Sequence, residues 1–337
     1  MAPLEGRRGY LRLDFNENTL GPSAHVVEAI RALPSEAYAT YPEYDQLTAR
    51  YAAHVGLAPD AVGLFNGSDA AIKAVFDAYG EPGQRFVTTS PTFGYYRPCA
   101  EAAGMQVVGV AYQPDFSFPW QALEAELAKP TRLCIICNPN NPTSTLAERA
   151  PLLALIKKHR ETLFVIDEIY LTYTGVSVLP DVGTLPNAVA LHSLSKSCGI
   201  AALRIGFACG TPAIVERMAR VTGPYDINQF GVVAANAVLD DWLTVQHYAT
   251  EVNNAKEFTL SKLRELGIRV FSGGGNYFLV WPGRDVNQVE AALRERNILV
   301  RSMHGKPMLD GCFRLSVGTH AQMQTFLTAF SEVLRDP

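Results

Sequence analysis

From Val62 onward, short apolar runs alternate with turns and helical stretches, and this repeat confines the chain to an α/β architecture with a mostly parallel sheet flanked by helices. The apolar runs are 62–65, 85–89, 106–112, 133–137, 163–166 and 188–191. In open sheets of this kind a ligand sits beyond the carboxyl ends of the strands. Polar clusters stand at those ends: Asn66-Gly67-Ser68-Asp69, Ser90-Pro91-Thr92-Phe93, 138–143, Asp167-Glu168-Ile169-Tyr170 and Ser193-Leu194-Ser195-Lys196. A site is therefore expected along this edge, assembled from segments distant in sequence.

The flanking segments have a different texture. Residues 11–22 read as an extended polar arm ending in a turn, followed by a helix over 23–33 with Ser23 as its N-cap. A second helix over 43–55 carries Leu47, Tyr51 and Val55 at four-residue spacing, as a core-facing stripe would. After Gly223-Pro224 come a long helical stretch over 228–266, a strand at 269–272, a Gly273-Gly274-Gly275 turn and a strand at 277–281. A further helix follows, then apolar runs at 297–301 and 313–317 and a terminal helix. This divides the chain into an N-terminal arm and helix (1–34) that joins a smaller α+β domain (228–337), around a large domain (35–227). The glycine triplet lacks the strand and helix that a dinucleotide-binding fingerprint needs, so it reads as a turn.

A formal charge of -4 and 18% charged residues give no reason to expect a nucleic acid or membrane partner. No apolar stretch approaches the length of a membrane span, and a cytoplasmic protein is expected. The six cysteines are too sparse for a disulfide scaffold. Cys134 and Cys137 form a C-x-x-C, yet inside an apolar run with no second pair, which favours buried strand thiols over a metal or redox site. The seven histidines show no ligand spacing, so no metal is expected.

Lys196 stands between small residues beside Ser193, Ser195 and Arg204. A lysine desolvated in a pocket is nucleophilic toward carbonyls, and the neighbouring hydroxyls and guanidinium suit a phosphate. Together they suggest a phosphorylated carbonyl compound, pyridoxal 5'-phosphate, although a lone Ser-x-Lys is more often a surface lysine. Asp167 at a strand end can stabilise a protonated pyridine nitrogen, or simply cap a helix. Tyr170 and Asn141 can contact a ring oxygen and Phe93 can stack on the ring. The start of the helix after Gly67, with Ser68 and Asp69, offers an anion site. Arg301 and Arg314 are candidates to grip a substrate carboxylate or phosphate.

These segments, in this order and spacing, resemble the fold-type I pyridoxal-phosphate aminotransferases, and within them the histidinol-phosphate aminotransferase family. The resemblance rests on Phe-Asn-Glu-Asn (15–18), Tyr41-Pro42, Asn-Gly-Ser-Asp (66–69), Pro-Thr-Phe (91–93), Pro-Asn-Asn-Pro-Thr (139–143) and Val-Ile-Asp-Glu-Ile-Tyr (165–170). It continues through Ser-Leu-Ser-Lys (193–196), Leu-Arg-Ile-Gly (203–206) and Arg-Leu-Ser-Val-Gly (314–318). It implies that Lys196 joins the cofactor as a Schiff base and shuttles the proton, that Asp167 pairs with the pyridine nitrogen, and that Asn141 and Tyr170 contact the ring oxygen below a stacked Phe93. It places Ser68, Asp69, Ser193, Ser195 and Arg204 around the phosphate, Tyr41 at the phosphate of a partner subunit in a homodimer, and Asn18, Arg301 and Arg314 at the substrate. An amino donor and a 2-oxo acid acceptor are implied, with histidinol phosphate and the glutamate/2-oxoglutarate pair leading. The chain departs from the family at Thr19-Leu20-Gly21, where Pro-Tyr-Gly is common, at Ser144 in place of a glycine, and at His192 in place of an arginine. An aminotransferase for aromatic or other amino acids, or a relative of threonine-phosphate decarboxylase, fits the same frame. A non-enzymatic regulator fits less well, since those carry an added DNA-binding module.

Overall fold

The computed structural model describes residues 6–335; residues 1–5 and 336–337, which the expected first and last segments include, lie outside the described residues. The apolar runs form a seven-stranded sheet in the spatial order Val62–Asn66, Ile205–Gly210, Ala188–Ser193, Leu163–Asp167, Leu133–Cys137, Arg85–Ser90, Gln106–Ala111. Only Ile205–Gly210 runs against its neighbours, pairing antiparallel with the strands on both sides. Its amino end therefore meets the carboxyl ends of the other strands, which brings Arg204 to the same edge as Lys196 and Asp167. The strands Leu133–Cys137 and Leu163–Asp167 are buried at every position, as expected for a sheet covered on both faces. Cys134 and Cys137 are free, and burial raises both thiols.

Helices cover the two faces. Gly67–Tyr79 packs one side with Ile72, Val75 and Phe76, while Leu47 and Tyr51 of Asp45–Val55 pack the other. The helix Asp45–Val55 ends on Gly56, whose φ of 75° makes the left-handed turn that a side chain resists. Ala24–Arg31 begins after Ser23 as expected, but the Ser23 hydroxyl makes no capping hydrogen bond.

The second sheet has the order Arg301–Ser302, Phe313–Ser316, Tyr277–Trp281, Arg269–Ser272. Its core includes Phe278, Phe313, Phe326 and Phe330. The arm strand Leu11–Arg12 pairs parallel with Ile298–Leu299 and so joins this half. The packing boundary differs from the division at 34 and 228. Val26 of Ala24–Arg31 and Val232 and Val238 of Gln229–Asp240 pack in the large sheet's core, whereas Tyr248 and Val252 pack with the small sheet. The changeover lies inside Trp242–Glu265. The expected continuous helix over 228–266 is two helices, broken at Asp241, where no glycine or proline marks the break.

The glycine triplet has a packing reason beyond its turn. A side chain on Gly273 would reach within 1.9 Å of the Ser144 carbonyl, and one on Gly274 within 2.8 Å of Pro139. At Gly273 the small sheet's turn thus abuts the backbone of the 138–145 loop, and at Gly274 it meets the Thr174 and Pro139 side chains.

Candidate active site

The lysine loop follows strand Ala188–Ser193. Lys196 Nζ donates to the Phe15 carbonyl at 3.1 Å. Burial, then the positive field of Arg314, lowers its pKa from the usual 10.5 to about 8. A neutral amine is thereby accessible near neutral pH, as nucleophilic attack on a carbonyl requires.

Asp167 closes strand Leu163–Asp167 and is 1% exposed. Burial pushes its carboxyl up to about 6 against the hydrogen bond from Tyr96, whose hydroxyl donates to Oδ2 at 2.5 Å. The helix-cap alternative does not hold, because the helical turn that follows, Leu171–Tyr173, has Tyr170 at its N-cap position; Asp167 Oδ1 receives a long 3.4 Å contact from Ile169 N–H. Glu168 points to a different network. It accepts from Val178 N–H and Ser177 and lies 3.1 Å from His192 Nε2, while His192 Nδ1 lies 2.7 Å from the Tyr51 hydroxyl. His192, the departure from the arginine frequent in the family, is matched to a buried tyrosine and carboxylate.

Tyr170 is buried, and its hydroxyl accepts from Asn16 Nδ2 at 2.9 Å, leaving its own proton free to donate. Asn141 Oδ1 accepts from Arg314 Nη1 at 2.5 Å, which leaves the Asn141 amide hydrogens for another acceptor. Phe93 is partly buried, edge-on to Tyr96 at 5.5 Å. Ser144 has a φ of 65°, which accounts for the glycine usual there, and its hydroxyl accepts from Gly275 N–H at 2.9 Å.

The anion cradle forms where Gly67–Tyr79 starts. Gly67 has a φ of 76°, and a Cβ there would lie 2.4 Å from Arg204 Nη2. Arg204, itself at φ 58°, pairs with Asp69 at 3.0 Å. Ser68 is buried in the first turn, and Ser193 Oγ accepts from Ser195 N–H at 3.1 Å. The start of a 13-residue helix, carrying Ser68, and the Arg204 guanidinium against Gly67 stand together here, donors that suit a phosphate.

Arg301 and Arg314 are cross-strand partners and share a sheet face. Arg314 is 7% exposed; it donates to the Asp14 carbonyl and Asn141, and its Nε has no partner among the described residues. A buried cation with no carboxylate paired to it among the described residues is set to receive an anion. Arg301 lines a cavity of about 310 Å³ with Phe15, Glu290 and Arg294. Asn18 is engaged in the fold: Nδ2 donates to Ser197 O, and Oδ1 accepts from Leu20 and Gly21 N–H. Tyr41 stands apart, 72% exposed and stacked on the exposed Tyr225 with ring centroids 4.0 Å apart. Sequence reasoning missed Tyr96 and the Tyr51–His192–Glu168 network. The signal for Tyr96 was its place three residues after Phe93 at a helix start.

The model of the family "Aminotransferase class I and II" matches residues 8–330. A histidinol-phosphate aminotransferase of Moorella thermoacetica is 31% identical, covering 98% of this chain and 86% of that relative. One from Symbiobacterium thermophilum is 32% identical, covering 98% and 92%. The solved structure of histidinol-phosphate aminotransferase from Sinorhizobium meliloti in complex with pyridoxal-5'-phosphate superposes with a TM-score of 0.88 at 23% identity, covering 96% of this chain and 90% of that one. That likeness shows the shared fold type I architecture. Among the described residues no helix is long and apolar enough to cross a membrane.

Proposed function

Because the chain belongs to the class I and II aminotransferases, enzymes that use pyridoxal 5'-phosphate, an amino donor and a 2-oxo acid acceptor, we propose that it transfers the amino group of histidinol phosphate to 2-oxoglutarate. The observation that carries this reading is Arg314, a buried guanidinium whose Nε has no partner among the described residues, facing the same side as Arg301 and close enough to lower the Lys196 pKa. The names borne by the relatives support the choice of donor.

The residues present fit the cofactor. The Gly67–Arg204 cradle suits its phosphate, the Asp167 carboxyl its ring nitrogen, and Lys196 its aldehyde. When bound, pyridoxal 5'-phosphate supplies an electron sink for the charge left on carbon. Lys196 Nζ, neutral near its lowered pKa, takes the proton from the donor's amine-bearing carbon and returns it one position away. Asp167 holds a proton on the ring nitrogen by its charge. Tyr170 and Asn141 would donate to the ring oxygen and Phe93 would cover the ring face, while Ser68 and Asp69 through their backbone N–H groups, with Ser193, Ser195 and Arg204, would hold the phosphate. Arg314 and Arg301 orient the donor's anionic group.

The same reading makes the working unit a homodimer, with the cytoplasm as its compartment. Tyr38, Tyr41 and Tyr225 are 65%, 72% and 57% exposed, an aromatic surface suited to a second copy. Light scattering at micromolar concentration should give the mass of two chains, and a monomer would contradict it. For the reaction, the holoenzyme is incubated with 2-oxoglutarate and histidinol phosphate or aromatic amino acids. Glutamate formed preferentially from histidinol phosphate supports the assignment; glutamate from the aromatic donors alone overturns it.

A further inference from the structure

Asp167 can serve the ring nitrogen only while it stays ionised, yet it is 1% exposed among apolar strands. Its two oxygens are treated unequally. Oδ2 takes a 2.5 Å hydrogen bond from the Tyr96 hydroxyl, while among the described residues Oδ1 has only the 3.4 Å contact with Ile169 N–H. Tyr96 is the first residue of helix Tyr96–Ala102 and is itself 1% exposed, with its ring edge-on to Phe93. His192 makes its contacts with Glu168 and Tyr51.

We infer that Tyr96 is a positioning residue for the cofactor, acting through Asp167: its phenol holds Oδ2 and leaves Oδ1 for the pyridine nitrogen. The inference rests on the assignment of Asp167 to that nitrogen. A hydrogen bond to an ionised acceptor favours the ionised form, so the phenol offsets the burial that would otherwise protonate the carboxyl. It also fixes the carboxylate's rotation, because the donor lies on a helix packed in the core. The same helix start carries Phe93 just before it, so one element sets both the ring's face and its nitrogen partner.

The test compares two ligands, pyridoxal 5'-phosphate and its 1-deaza analogue, in which a C–H replaces the ring nitrogen. Affinities for both are measured by fluorescence titration of the apoprotein, in wild type, Tyr96→Phe and Asp167→Asn. Phenylalanine fills nearly the same volume, so only the hydroxyl is removed. Tyr96→Phe should bind pyridoxal 5'-phosphate roughly tenfold more weakly, the scale of one hydrogen bond to a charged group, and bind the analogue as wild type does. An equal loss for both ligands, or no loss, overturns the inference. Asp167→Asn reports on the underlying assignment separately: it should abolish the wild-type preference for the nitrogen-bearing ligand. If that preference survives in Asp167→Asn, the role given to Asp167 has failed, and the inference about Tyr96 fails with it.

Discussion

Arg314 donates to the Asn141 side-chain oxygen at 2.5 Å, a bond that joins strand Phe313–Ser316 of the small sheet to the loop after Leu133–Cys137 of the large one. One side chain thus sets the candidate substrate anion site and orients the amide offered to the ring oxygen. The same guanidinium charge, 118 positions after Lys196 (314 − 196 = 118), also lowers the lysine's proton affinity directly through its field.

Replacing Arg314 by Gln should raise the KM for the anionic donor by about 30-fold or more, since removing one member of a buried charge pair costs about 2–5 kcal/mol. Lysine should rescue it poorly, because a single ammonium cannot reach both the Asp14 carbonyl and Asn141 in the fork geometry of arginine. Steady-state kinetics with wild type, Arg314→Gln and Arg314→Lys measures this. An unchanged KM in the Gln variant would remove Arg314 from substrate binding.

Gly67→Ala should weaken cofactor binding and lower the melting temperature together. The new methyl group meets the Arg204 guanidinium at 2.4 Å, and the left-handed backbone at φ 76° costs about 1–3 kcal/mol with a side chain. Displacing Arg204 also disturbs the cradle at the start of Gly67–Tyr79. Fluorescence titration and thermal unfolding read the two effects, and a variant normal in both would show the cradle to be slack.

The apoprotein should show two opposite pH dependences of stability. Lys196 has a folded pKa of about 8 against 10.5 unfolded, so its burial penalty is present below about 8 and is relieved as pH rises toward 10.5. Asp167 has a folded pKa of about 6 against 3.8, so the native state binds the extra proton and stability falls as pH rises from 3.8 to about 6. Urea unfolding of Lys196→Met and Asp167→Asn against wild type isolates each slope. Variants whose curves run parallel to wild type across these windows would contradict the assignments.

Much of this arrangement is legible in the sequence, because each element of the site edge ends an apolar run that has to be a buried strand. Strands Leu133–Cys137, Arg269–Ser272 and Tyr277–Trp281 fall at the expected residues. Fully buried strands advertise themselves by composition. The break at Asp241 was not legible, since its neighbours continue the helical pattern on both sides and only tertiary packing divides Gln229–Asp240 from Trp242–Glu265. Nor was the Tyr96–Asp167 bond, whose partners are 71 residues apart and meet only once the sheet has formed. The domain division at 228 followed a change of texture at Gly223-Pro224, whereas apolar packing carries the large sheet's core on through Val245.

The central claim is that Lys196 is the amine that holds the cofactor's aldehyde. The purified protein, loaded with pyridoxal 5'-phosphate, is reduced with borohydride, digested, and its peptides are mapped by mass spectrometry. A single pyridoxyl-phosphate adduct on Lys196 is the result the structure predicts. An adduct on another lysine with Lys196 unmodified would contradict it.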